Sequence, residues 1–170
     1  GGLTEKATSM AQEFYSSFCK GEIFTTNAST AELVKLTENA YRDVNIAFAN
    51  ELSLVANKVG VNIIELIKLS NKHPRVNILN PGCGVGGHCI AVDPWFIVSE
   101  APELTKLIQT SRDVNSNKTK WVINQIISIS NIFYTEHNRK PTIGIFGLTY
   151  KANIDDIRES PALKIMNHLI

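Results

Sequence analysis

The chain has 170 residues, 44% hydrophobic and 19% charged, an ordinary composition for a globular protein with a real core; the length suits one domain or parts of two. Lys and Arg number 17 against 16 Asp and Glu, a net charge of +1, and the charges are scattered, so neither a nucleic-acid footprint nor a membrane-binding face is indicated. No apolar run approaches the ~18 residues that a membrane-spanning helix needs.

The chain opens on Gly1-Gly2, and its first residues, GGLTEKATSM, have neither the basic region nor the apolar core of a signal peptide. Leu3 to Phe18 reads as an amphipathic helix, with EIFTTN after it as a short strand. Ser29-Thr30-Ala31-Glu32 fits a capping box. From there apolar residues recur at Leu33, Leu36, Ala40, Val44, Ala47, Phe48, Leu52, Val55 and Val59, helical spacing that stops at Gly60, a natural C-cap. At ~1.5 Å per residue the helix is a rod of roughly 40 Å. Such a rod exceeds what one small domain needs, and a symmetric homodimer through helix 29–59 is expected.

Asn62 can cap a second helix, Ile63 to about Ser70. Pro102 to about Tyr134 again shows helical spacing, with a break expected near Asn115–Asn117. PTIGIFGL reads as a buried strand, and Ser160-Pro161 as the cap and first residue of a helix still apolar at Ile170. A strand, a loop and a helix with nothing after them make half of a βαβ unit. The chain is therefore expected to be a segment of a longer protein, partial domains flanking a complete helical middle.

NPGCGVGGHCIAVDPWF, from Asn80 to Phe96, places four glycines within six residues, then a thiol at Cys89 and a carboxylate at Asp93. Gly82, Gly84 and Gly87 match the dinucleotide pattern G-x-G-x-x-G. That pattern needs a strand before it and a helix opening at its third glycine; here Asn80-Pro81 leads in and Pro94 follows. Cys83, His88 and Cys89 have no second Cys or His cluster to complete a zinc set, so no metal site is expected. An odd count of three cysteines argues for free thiols in a reducing, cytoplasmic setting. Asp93-Pro94 makes a helix N-cap and first position, close behind Cys89. On these residues alone, a tight structural loop and a reactive site both remain open. Cys19 and Cys83 read as packing.

Several separate stretches bear a joint resemblance. GVGGHCIAVDPWF resembles the catalytic-cysteine motif of the UDP-glucose/GDP-mannose dehydrogenase family. AELVKLTENAYRDVNIAFANEL resembles its long central helix with a Lys-x-x-x-Asn pair, and HPRVN its substrate-contacting arginine segment. GIFGLTYKANIDDIRESPALKI is similar to the opening of its C-terminal nucleotide-sugar domain. Within the family, the combination of GGHC, IAVDPWF and GLTYKANIDDIRESP looks most like the members acting on UDP-N-acetyl-D-mannosamine.

The resemblance implies a mainly α fold: a helical central dimerisation domain (28–136) with a long central helix, flanked by truncated pieces of two Rossmann-like α/β domains. These are the last helix and strand of an NAD-binding domain (1–27) and the start of a UDP-sugar domain (137–170). It implies NAD as cofactor, held by the N-terminal domain, with no cofactor-binding residue in these 170 residues. It implies a UDP-sugar and a second copy of the chain as partners, with no nucleic acid and no membrane, in polysaccharide biosynthesis.

The implied reaction oxidises a sugar C6 alcohol to a carboxylate in two steps. Cys89 matches the nucleophile, Lys35 and Asn39 the helix pair that steadies an oxyanion, and Asp93 the carboxylate that orients or deprotonates water. Gly86 and Gly87 would bring backbone against the sugar, Arg75 would reach substrate from a neighbouring subunit, and Lys151 would contact the nucleotide sugar. Asp155, Asp156, Arg158 and Glu159 match a loop-ordering motif. Read without the resemblance, Lys35 is a solvated charge, Asn39 a surface amide, Asp93 a cap and Arg75 a surface arginine. The alternatives are an inactive dimerisation module, a UDP-glucose or UDP-N-acetylglucosamine 6-dehydrogenase, or a 6-phosphogluconate-type hydroxyacid dehydrogenase, which needs no cysteine.

Overall fold

Helix α1 (Glu5–Ser16) begins where the Thr4 hydroxyl accepts a hydrogen bond from the Ala7 backbone N–H. Five further helices follow in a computed structural model that describes residues 1–170: α2 (Ala28–Val59), α3 (Ile63–Ser70), α4 (Asp93–Glu100), α5 (Lys106–His137) and α6 (Pro161–Leu169). The chain divides into two compact units, Gly1–Glu38 and Asn39–Ile170, with the boundary inside α2. No helix is long and apolar enough to cross a membrane.

In the first unit a parallel bridge joins Gly2 to Asn27 across α1, the connectivity of a βαβ crossover reduced to one pair. The strand expected over EIFTTN does not form beyond this bridge. PTIGIFGL is likewise extended without a ladder, and Ile143, Ile145 and Phe146 are exposed rather than buried. The reason is the same in both places: a strand satisfies its backbone groups only against a neighbour, and neither segment has one. The two flanks are thus α/β in sequence pattern and helical or irregular in structure.

The cap of α2 also differs from the capping-box expectation at Ser29. Helix α2 starts earlier, and the Asn27 Oδ1 accepts from the Thr30 N–H at 2.8 Å. At the far end Gly60 takes a left-handed φ of +74°, and Val61 N–H donates to Ala56 O at 2.9 Å, a Schellman closure. Asn62 caps α3, accepting from Ile64 and Glu65 N–H at 2.9 and 3.2 Å. Ser160 caps α6, with Pro161 at its first position.

In the second unit α4 and α6 pack on α5, and side-chain hydrogen bonds tie α5 to α2. The apolar stripe read along α2 is buried only in part: Ala40 and Ala47 are buried and Leu36, Val44 and Leu52 half-buried, but Leu33, Phe48, Val55 and Val59 are exposed, and the buried face is completed by Asn39, Asp43, Asn50, Ser53 and Ala56. Polar residues on this face are matched from α5. Arg112 Nη1 donates to Asp43 Oδ1 at 2.6 Å, and Asn115 Nδ2 donates to the same oxygen at 2.8 Å and to Asp43 O at 3.1 Å. Asn50 Nδ2 donates to Asn115 Oδ1 at 2.8 Å, and Lys118 Nζ donates to Ser53 Oγ. Asn115 lies in the middle of this network, which is why α5 runs unbroken through the Asn115–Asn117 break that its sequence suggests.

Burial pushes the Asp43 carboxyl up, opposed by the Arg112 guanidinium beside it. Asp43 Oδ2 and Arg112 Nε are buried without partners, so the network is incompletely satisfied. Breaking a buried pair strands a charge, whereas replacing both members by apolar residues removes the desolvation cost. We predict that Asp43→Ala costs about 3–5 kcal/mol in urea unfolding. An Asp43→Leu/Arg112→Met double variant is expected to recover more than half of that loss; equal losses would show that the pair is net stabilising.

Candidate active site

The glycine-rich loop between α3 and α4 carries the candidate thiol. Cys89 is a half-buried free cysteine. Its carbonyl accepts from Val92 N–H at 3.0 Å and from Asp93 N–H at 2.7 Å, which bends the chain directly into α4. Asp93 is the first residue of α4, and Val92 before it offers no side-chain cap. The Asp93 side chain therefore does not serve as the N-cap that the Asp-Pro pair suggests. Its Oδ2 instead accepts from Asn39 Nδ2 at 2.6 Å. Asn39 is buried at 3% exposure, so this amide–carboxylate bond is sheltered and fixes the orientation of Asp93. The Asn39 amide thus holds the Asp93 carboxylate at the start of α4, and the Cys89 backbone is hydrogen-bonded to that same helix start.

Gly86 and Gly87 form the crowded side of the loop. A Cβ at Gly86 would lie 2.6 Å from the Tyr150 Cβ and 2.8 Å from the Glu159 carbonyl oxygen; one at Gly87 would lie 2.8 Å from the Tyr150 ring. Gly87 also has φ +88°, and its N–H donates to Arg158 O at 3.0 Å. Only glycine meets both demands. The 150–159 segment thereby packs on the glycine-rich loop. Arg158 forks onto Asp156 through Nε and Nη2, and the Asp156 carboxyl is held down to about 2, first by that hydrogen bond. Tyr150 N–H donates to Asp156 O at 3.2 Å, and Thr149 Oγ1 to Lys151 O at 2.9 Å, so the segment is ordered within itself. Lys151 is exposed beside Tyr150.

Other candidates make no side-chain hydrogen bond or ion pair with Cys89, Asp93 or Asn39. Lys35 is in the first unit, with its side chain 65% exposed and 3.6 Å from Glu38. Arg75 is exposed in the turn after α3, where its N–H donates to His73 Nδ1; it makes no hydrogen bond or ion pair with the loop. His88 is exposed. Cys19 is exposed too, so it is not a packing residue. Cys83 is half-buried, and burial pushes its thiol up; burial likewise pushes the Lys118 ammonium down.

The loop also fails the geometry of a dinucleotide cradle. No strand leads into Gly82, the Gly87 amide is taken by Arg158 O, and the next helix opens only at Asp93. These residues do not fit NAD. Residues that sequence reasoning passed over are Asn50, Arg112, Asn115 and Thr119, whose polar groups reach the loop or its supports. The available signal was a polar row on α2, Asn39, Asp43, Asn50 and Ser53, at helical spacing and facing a matching row on α5.

Residues 29–117, just over half of the chain, match the central domain of the UDP-glucose/GDP-mannose dehydrogenase family, and residues 144–170 match its UDP binding domain. The chain is 54% identical, over all its residues, to an NDP-N-acetyl-D-galactosaminuronic acid dehydrogenase of Ralstonia nicotianae, of which it covers 39%. It is also 54% identical, over 97% of its length, to a UDP-N-acetyl-D-mannosamine dehydrogenase of Escherichia coli K12, of which it covers 40%. A UDP-D-ManNAc dehydrogenase from Pyrococcus horikoshii superposes with a TM-score of 0.85 at 46% identity, covering 98% of this chain and 40% of that one. The chain thus spans about two-fifths of the length of the curated relatives it matches. It belongs to the UDP-glucose/GDP-mannose dehydrogenase family.

Proposed function

We propose that the whole protein carrying this chain oxidises the C6 alcohol of UDP-N-acetyl-D-mannosamine to the uronate, with NAD bound outside these residues, and that Cys89 is the covalent carrier. The observation that carries this reading is the half-buried Cys89 thiol, whose loop runs straight into an Asp93 held by Asn39. Alcohol-to-carboxylate oxidation passes through an aldehyde. The Cys89 sulfur adds to the aldehyde carbon to give a thiohemiacetal; loss of a hydride and a proton leaves a thioester. Asp93 takes a proton from water as the water oxygen attacks the thioester carbon, and the C–S bond breaks to release carboxylate and thiol.

Asn39 retains one amide hydrogen beyond the one given to Asp93, and with Lys35 it would steady the oxyanion. Gly86 and Gly87 would admit the sugar against backbone. Lys151, and Arg75 from a second subunit, would hold the nucleotide. Equal identity to a relative named for an N-acetylgalactosaminuronate favours, as a second reading, the galacto-configured sugar. We also propose a homodimer about α2. Tyr41, Phe48 and Val55 are exposed at every seventh residue, a repeating apolar edge on the outside of the helix.

In the full-length protein, Cys89→Ala is expected to lower uronate formation by about a thousandfold or more, with two hydride equivalents passed per sugar in the wild type. Near-normal four-electron turnover in the variant would remove Cys89 from the mechanism. A panel of UDP-sugars, counted as NADH per sugar, separates the manno and galacto readings. These 170 residues alone are expected to be inactive and to bind NAD weakly or not at all; calorimetry showing micromolar NAD binding would contradict that. Because Phe48 is exposed, Phe48→Asp should leave the chain folded and halve its mass by light scattering. A wild-type monomer at high concentration would end the dimer proposal, and with it the cross-subunit role of Arg75.

A further inference from the structure

A loop with glycines at 82, 84, 86 and 87 has little intrinsic preference for one conformation, so whatever places Cys89 must come from outside it. Two groups catch its entry. Asn50 Oδ1 accepts from the Gly82 N–H at 2.8 Å, and Thr119 Oγ1 donates to the Cys83 carbonyl at 2.7 Å. Neither group is free to drift. Asn50 is fully buried at 0% exposure, and its Nδ2 is committed to Asn115 Oδ1, which leaves its oxygen aimed at the loop. Thr119 sits on α5 one residue after the buried Lys118, close enough to Gly84 that a side chain there would strike its hydroxyl. Downstream, Arg158 O holds Gly87, and Arg112 Nη1 lies 3.4 Å from Ile90 O. The hydrogen bonds to Gly82, Cys83 and Ile90 come from the α2–α5 pair.

We propose that Thr119 and Asn50 are positioning residues for Cys89: they fix the start of its loop to the α2–α5 pair so that the thiol is presented in one place. The consequence for turnover rests on the reading of Cys89 as the nucleophile; the consequence for the thiol's exposure does not. Misplacing a reacting group by about 1 Å costs up to a hundredfold in rate, while binding contacts made elsewhere are untouched. A positioning loss therefore shows in kcat and spares KM.

The test is Thr119→Val, which keeps shape and removes the hydroxyl, with Thr119→Ser as the conservative rescue. In the full-length protein, Thr119→Val is expected to lower kcat by about tenfold or more, with KM for the UDP-sugar within about twofold, and Thr119→Ser to restore kcat. In the 170-residue chain, iodoacetamide labelling read by mass spectrometry compares half-buried Cys89 with exposed Cys19 as internal reference. The Cys89/Cys19 rate ratio should rise about threefold or more in Thr119→Val, as the loop loosens, and return in Thr119→Ser. Unchanged kcat, or an unchanged labelling ratio, overturns the proposal, as does a loss that Thr119→Ser fails to rescue. Should Thr119→Val lose its helical circular dichroism, Thr119→Ala is read by the same two measures. A Cys89→Ala enzyme with full turnover would refute the nucleophile and leave the labelling ratio to judge Thr119 by itself.

Discussion

The second unit depends on the buried contact between Asp43 of α2 and Arg112 of α5, 2.6 Å apart. Two charges taken out of water need each other and further hydrogen bonds, or the fold pays several kcal/mol for each. Asn115 completes the carboxylate on one side and passes the constraint to Asn50; Lys118 and Ser53 extend the polar seam along the helices. Apolar packing alone would tolerate sliding of one helix along the other. A chain of matched donors and acceptors admits one register, because a shift of one turn would leave every member unpaired.

That register reaches the chemistry through short links. Arg112 approaches the Ile90 carbonyl, Asn50 holds Gly82, and Thr119 holds Cys83, so both ends of the glycine-rich loop refer to the same helix pair. Asn39 stands one turn before Asp43 on α2 and holds Asp93 on α4. The carboxylate and the thiol are thus referenced to one rigid element, although they sit on a loop and a helix start. Glycine's freedom permits the close approach of Tyr150 and Glu159 at Gly86 and Gly87, and the polar seam removes the disorder that such freedom would otherwise bring.

The same division of labour explains the surface. Because α2 spends its small and polar residues on α5, its large apolar residues face outward, and Tyr41, Phe48 and Val55 remain uncovered. Large exposed apolar edges at a regular repeat are costly to leave in water. PTIGIFGL, with Phe146 fully exposed, and the aromatic group Phe14, Tyr15 and Phe18 at the end of α1 and just after it are in the same condition. These are the segments whose sequence patterns belong to α/β layers and whose hydrogen-bonding and packing partners are not among these residues.

The sequence by itself determined the helices and the family. Periodicity, Gly60, Asn62 and Ser160-Pro161 marked α2, α3 and α6 to within a residue or two, because caps and spacing are local properties of the chain. The joint occurrence of the cysteine, Lys-x-x-x-Asn, arginine and Tyr-Lys stretches identified the family, because those residue types at those spacings are shared along the whole chain. Only the tertiary structure decided which face of α2 is buried. An amphipathic pattern ranks faces by hydrophobicity, whereas burial here follows hydrogen-bond matching between two helices more than 60 residues apart in sequence. It also decided that Asp93 turns to Asn39 instead of capping its helix, and that the extended segments stay unpaired. Each of these outcomes hangs on whether a partner distant in the chain meets the segment, and no local rule names a partner.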